Sequence, residues 1–175
     1  MKKISVKILS ICAVLAALHL VLELFATVRI GNDLKITFAT LPFIAAGMLV
    51  GPLAGFLTGF VGAFLSQLLT FGFNWTNFIW IIPPAVMGLA SGLIYKAFGR
   101  KKQAWRIIVT VVLSNLVLVI LNLAASWLDG VVIYKYWTME VLIGLIPLRL
   151  AVGAGLSAVY SIVMIPLCKV AQDKI

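Results

Sequence analysis

Arg149 stands inside an apolar run, two residues after Pro147 and more than two helical turns from the start of the run at Val141. A guanidinium at that depth in lipid is costly, so it faces a cavity or a partner. Its planar fork suits a carboxylate. Two readings fit: a cation in a pocket that holds an anionic group, or a structural pair with Glu23 or Glu140. His19 and Glu23 are four residues apart and share one helix face, as a proton relay or as internal polar contacts. Ser66 and Gln67 precede a run of Asn74, Trp75, Thr76, Asn77 and Trp80. A second run holds Asn122, Ser126, Trp127, Tyr134, Lys135, Tyr136 and Trp137. Amides and hydroxyls give directional hydrogen bonds, and indoles give flat apolar walls with a single donor. Ligand pockets are built from that mixture. An interfacial aromatic belt also uses Trp and Tyr, but it does not explain why Gln67, Asn74 and Asn77 join the cluster. No phosphate-binding glycine loop, H-E-x-x-H or G-x-S-x-G motif is present. One histidine and five acids leave little for acid–base chemistry, so an enzyme is not expected. Cys12 and Cys168 have no metal or disulfide spacing and read as small buried hydrophobes. No cofactor is implied.

The elements that must position these residues are membrane helices. Of 175 residues, 63% are hydrophobic and 11% charged, well under the roughly 25% charged residues of a soluble domain. Several apolar runs exceed the ~18 residues that cross a bilayer. The sequence predicts an all-α membrane protein of six transmembrane helices, as one domain over residues 1–175. The helices fall at 5–28, 36–50, 53–71, 77–98, 107–128 and 141–168, the second short for a full span. Gly51-Pro52 marks a tight turn, Pro83-Pro84 a kink in the fourth helix, and 129–140 a mixed loop. The first segment lacks a small-residue cleavage site and reads as a retained helix.

The net charge is +9. With the N-terminus inside, Lys2, Lys3, Lys7, Lys96, Arg100, Lys101, Lys102, Arg106, Lys169 and Lys174 are cytoplasmic. Only Arg29, Lys35 and Lys135 lie outside. This asymmetry places both termini in the cytoplasm and explains the basic balance without nucleic acid. The polar-aromatic residues then gather in the outer half, while the inner half is apolar and small. Such a site opens outward. Gly55, Gly59 and Ala63, and likewise Gly88 and Gly92, recur every four residues and let helix backbones approach within the bundle. Ala13 and Ala17 form a similar pair that packs inside the bundle or against a separate membrane subunit.

With these features in place, the chain resembles the substrate-binding S-components of energy-coupling factor (ECF) vitamin transporters. The resemblance covers nearly the whole chain. It rests on length, six helices, Ala13-xxx-Ala17, the stretch Leu34-Lys35-Ile36-Thr37-Phe38-Ala39-Thr40-Leu41-Pro42-Phe43, and Gly51-Pro52 leading into a glycine-rich third helix. It implies a multi-pass protein of a bacterial inner membrane that binds a water-soluble vitamin for ATP-dependent uptake. Its implied partners are a transmembrane coupling subunit, docked through Ala13 and Ala17, and two ATPases. The implied ligand contacts are Asn32, Lys35, Gln67, Asn74, Trp75, Asn77, Trp80, Asn122, Tyr134 and Arg149. Asn74 to Trp80 depart from the F-P-G-F-T-like segment of folate-type members, and the amide-rich lining favours a small polar anion such as pantothenate, with folate, riboflavin and cobalamin open. Two rivals stand beside this reading: a stand-alone secondary transporter, which calls for repeats and broken helices, and a structural membrane protein without a ligand.

Overall fold

The computed structural model describes residues 6–30 and 34–171. Helix α1 (Val6–Phe25) leads into a two-stranded antiparallel hairpin, β1 (Thr27–Ile30) and β2 (Leu34–Thr37), with Thr27 opposite Thr37. Helix α2 (Leu41–Ala45) continues as a π-helical turn, Ala46–Val50. Helices α3 (Pro52–Phe71) and α4 (Asn77–Ala97) follow. Helix α5 (Ala104–Ser126) runs on through a π-helical turn, Trp127–Ile133, and α6 (Met139–Ala171) closes the bundle.

Five helices are long and apolar enough to cross a bilayer, while Leu41–Val50 is a shorter apolar helix. Its ten residues reach only about 15 Å at 1.5 Å per residue, half the hydrocarbon thickness. Residues 36 and 37, expected in the second helix, are strand residues of β2, and the first helix stops at Phe25, with Thr27 and Val28 in β1. The descending chain is pinned to helix midsections. The buried His19 ring donates from Nδ1 to the carbonyl of Ala39 at 2.7 Å. On α6, Tyr160 donates to the Thr37 carbonyl at 2.6 Å. With its one proton so used, it accepts from the Thr40 hydroxyl, also at 2.6 Å. Thr40 therefore starts α2 without a side-chain cap.

The small-residue spacing does what the sequence predicts. A Cβ on Gly55 would lie 2.1 Å from the Gly88 carbonyl oxygen, and one on Gly92 would lie 2.5 Å from Pro52 Cα. Helices α3 and α4 thus touch backbone to backbone. Gly47 extends the seam, since a Cβ there would meet Ser91 Oγ at 2.1 Å. Around this seam lies the core of Phe43, Ile44, Met48, Met87, Tyr95, Ile107, Val111, Tyr160 and Met164. Gly51, with φ at 152°, makes the turn expected at Gly51-Pro52. Helix α4 continues through Pro83 and Pro84.

Arg100, Lys102 and Arg106 lie at the end of the bundle away from the hairpin. There they bond carbonyls across elements: Arg100 to Val50 at 3.1 Å, Lys102 to Lys169 at 3.4 Å, and Arg106 to Phe98. Ala13 and Ala17 are exposed on α1, whereas Cys12, Ala16, His19 and Glu23 form its buried stripe. Of the two placements open for the alanine pair, the chain's own bundle does not take it.

Candidate functional site

The polar-aromatic residues are joined at the hairpin end, and the residue that joins them is Asp129. The sequence places it in a loop. The structure places it on the π-helical extension of α5, where it is 7% exposed. A wider turn shifts the side-chain register of everything after it, which turns Asp129 inward. Its Oδ2 accepts from Trp80 Nε1 on α4 at 3.1 Å and from the Tyr136 hydroxyl at 3.3 Å. Its Oδ1 is buried and, among the described residues, has no hydrogen-bond partner.

The segment after the π turn folds back over it. Tyr134 N–H donates to the Asp129 carbonyl at 3.0 Å and Trp137 N–H to the Gly130 carbonyl at 3.2 Å. Gly130 is small because Trp137 lies on it: a Cβ there would sit 2.9 Å from the indole ring. Tyr136 and Trp137 meet edge to face at 5.4 Å, and Tyr134 lies 6.3 Å from Tyr136. Arg149, half-buried, donates to Ser126 Oγ at 2.7 Å and holds its guanidinium 5.6 Å from the Trp137 ring centre. A cation over an indole face is attracted by the ring quadrupole, which helps to hold it in place. Asn74 donates to the Tyr134 hydroxyl at 3.1 Å and so ties the α3–α4 loop to the same cluster.

Of the sequence candidates, Asn74, Trp80, Tyr134 and Arg149 come together here. Asn77 is buried next to them in sequence but caps the end of α3, donating to the Gly72 carbonyl at 2.7 Å. Trp75 is 61% exposed. Among the described residues, Gln67 and Asn122, both half-buried, make no hydrogen bond to the cluster. Lys35 pairs with the buried carboxylate of Glu23. That pairing gives Glu23 a partner other than Arg149. Asn32 lies outside the described residues. Asp129, Tyr136 and Trp137 complete the group. Asp129 carried one sequence signal, being an acid within reach of two apolar aromatic runs.

A second feature lies between α1, β1 and α3. It is a cleft of about 470 Å³ lined by Glu23, Leu24, Thr27, Leu69 and Thr70. Of the residues singled out in the sequence, Glu23 lines it, and none of the expected ligand contacts does. The Thr37 hydroxyl sits near its Glu23 wall, accepting from Thr27 at 2.8 Å and from Ala39 N–H at 3.1 Å and donating to Glu23 at 3.4 Å.

Helical spans around a half-length element, with a polar-aromatic cluster at one end, define a helical membrane protein with a candidate small-molecule site. The fold is shared with two solved structures. FolT crystallised with folic acid superposes with a TM-score of 0.69 at 20% identity, over 95% of each chain. The S component of a bacterial ECF transporter gives 0.71 at 22% identity, over 93% of this chain and 96% of that one. No curated protein matches the chain in sequence. Residues 3–172 match the family model for the ECF-type riboflavin transporter, S component, and the chain belongs to that family. It is therefore a multi-pass membrane subunit for substrate binding in vitamin uptake, not an enzyme, and ATP hydrolysis lies in partner subunits.

Proposed function

We propose that this chain captures a vitamin with a flat heteroaromatic ring and passes it inward as part of an ATP-driven assembly. Riboflavin is the first choice and a folate-type pterin the second. The observation that carries the reading is the joining of Trp80, Tyr136 and Trp137 to both a buried carboxylate, Asp129, and a guanidinium, Arg149. Indole and phenol faces stack on a ring, while the acid and the cation read its polar edge. Riboflavin is in the description of the family that the chain belongs to, and folic acid was bound in one similar structure. A pantothenate-sized anion is the weaker fit. The amides that favoured it, Asn74 and Asn77, are engaged with Tyr134 and with the Gly72 carbonyl.

The assembly comprises a transmembrane coupling subunit and two ATPases, with the exposed pair Ala13 and Ala17 as the docking face. The exposure of both alanines supports this placement, because small residues facing lipid offer close approach to a second helix. Both termini are cytoplasmic in a bacterial inner membrane, in keeping with basic residues sharing one end of the bundle. The element Leu41–Val50 with the chain before it counts as the sixth crossing.

The test is a vitamin panel read by thermal stabilisation of the purified protein in detergent. Binding to the folded state alone stabilises by about 2.7 kcal/mol at a hundredfold excess over Kd. Riboflavin or folic acid raising the melting temperature while pantothenate leaves it unchanged is the expected result. A shift from pantothenate alone would replace the ring reading. A folded protein that responds to none of them would remove the vitamin reading.

A further inference from the structure

Resting on the reading of the chain as a ring-vitamin subunit, we infer that Asp129 sets its specificity by accepting a hydrogen bond from a ring N–H through Oδ1. The ligand edge that it selects is a lactam or imide N–H beside a carbonyl. Buried carboxylate oxygens are nearly always bonded, and an orphaned one is among the more costly buried groups. Here one oxygen takes two donors, from Trp80 and Tyr136, while the other takes none among the described residues. Those two donors fix the rotamer, so the unoccupied oxygen is held rather than free to turn away. An aromatic wall packs beside it. Gly130 lets Trp137 lie flat against the π turn, and the Tyr134 and Trp137 amides lock the segment over it. Ser126, one turn before Asp129, anchors Arg149, whose guanidinium borders the same Trp137 ring.

Donor and acceptor therefore flank one aromatic wall. An edge with an N–H next to a carbonyl fits this pair: the N–H satisfies Asp129 Oδ1, and the carbonyl lies toward Arg149, which keeps its bond to Ser126. The imide edge of an isoalloxazine has this pattern, and so does the lactam edge of a pterin. A pantothenate has no such edge, and a ring that carries only acceptors would place two oxygens against the carboxylate.

The test is calorimetric titration of the full chain in detergent with riboflavin, 3-methylriboflavin and 5-deazariboflavin, together with folic acid and 3-methylfolic acid. In the native protein, methylating the ring N–H is expected to weaken binding by about tenfold or more, the scale of a charge-assisted hydrogen bond. Changing the central ring and leaving the N–H in place, as in 5-deazariboflavin, leaves affinity within about threefold on the same scale. In D129N, where the amide keeps an oxygen toward Trp80 and Tyr136, the parent vitamin weakens and the penalty for methylation falls below about threefold. A methyl penalty equal in the native protein and in D129N would assign it to crowding and overturn the inference. So would a native protein that binds the 3-methyl and parent vitamins equally, an arm that needs no variant to fold. Failure of both parent vitamins to bind would instead remove the ring-vitamin reading on which the inference rests.

Discussion

Replacing Tyr160 with Phe tests how the hairpin is held in the bundle. The Tyr160 side chain is fully buried. The substitution keeps the ring and opens no cavity, so its effect isolates the hydroxyl. That hydroxyl makes two bonds at 2.6 Å, donating to the Thr37 carbonyl and accepting from Thr40. An intramolecular hydrogen bond contributes about 0.5–1.5 kcal/mol net, and between membrane helices about 0.6 on average. Two bonds lost in a buried place give an expected destabilisation of about 1–2 kcal/mol. The measurement is equilibrium unfolding in mixed SDS and detergent micelles, followed by tryptophan fluorescence. A cycle with Thr40→Val isolates the Tyr160–Thr40 bond, with an expected coupling of about 0.5–1.5 kcal/mol. Hydrogen exchange at residues 34–40 rises in Tyr160→Phe if this anchor holds the descending chain. Unchanged stability, or strictly additive single substitutions, would refute the anchoring argument.

Four further outcomes follow from the same geometry. Gly88→Ala puts a methyl 2.2 Å from the Gly55 carbonyl oxygen, so α3 and α4 must separate, at a cost of about 1–3 kcal/mol. Gly144→Ala and Gly155→Ala, with no atom within 4 Å of the added Cβ, are neutral or stabilising in the same unfolding assay. Arg149→Met weakens vitamin binding by more than about 1.5 kcal/mol in calorimetry if the guanidinium touches ligand; unchanged affinity would make its bonds to Ser126 and Trp137 purely structural. Ala13→Trp with Ala17→Trp abolishes co-purification with the coupling subunit and spares vitamin binding; retained assembly would remove α1 as the docking face.

Much of the bundle is legible in the sequence because its signals are short-ranged and repetitive. Gly55, Gly59, Gly88 and Gly92 mark a stripe by their four-residue spacing alone, and the structure uses that stripe as the α3–α4 seam. Gly51-Pro52 announces its turn because few other pairs tolerate that backbone. The hairpin is not legible in the same way. Ile36 and Thr37 continue without a break into the apolar run of α2, so hydropathy reads one helix from 36. What makes it a strand is remote: Thr27 and Glu23 bonding Thr37, and Tyr160 reaching Thr37 and Thr40 from more than a hundred positions away. Asp129 escapes for a different reason. An acid just past Trp127 looks like the polar rim of a span, and only an inserted π turn, invisible to a 3.6-residue period, carries it inside. The amides fare worst as candidates because Asn side chains serve loop closure as readily as ligands, and Asn77 does so at Gly72.

The central claim, that this chain captures a vitamin and relies on other subunits for energy, is tested most directly by uptake into proteoliposomes. Vesicles holding the chain with its coupling and ATPase subunits should accumulate radiolabelled riboflavin only with ATP inside the compartment that the ATPases face. Vesicles holding the chain alone should bind the label without concentrating it. Accumulation by the chain alone, driven by an ion gradient and indifferent to ATP, would contradict the account and make the protein a self-sufficient transporter.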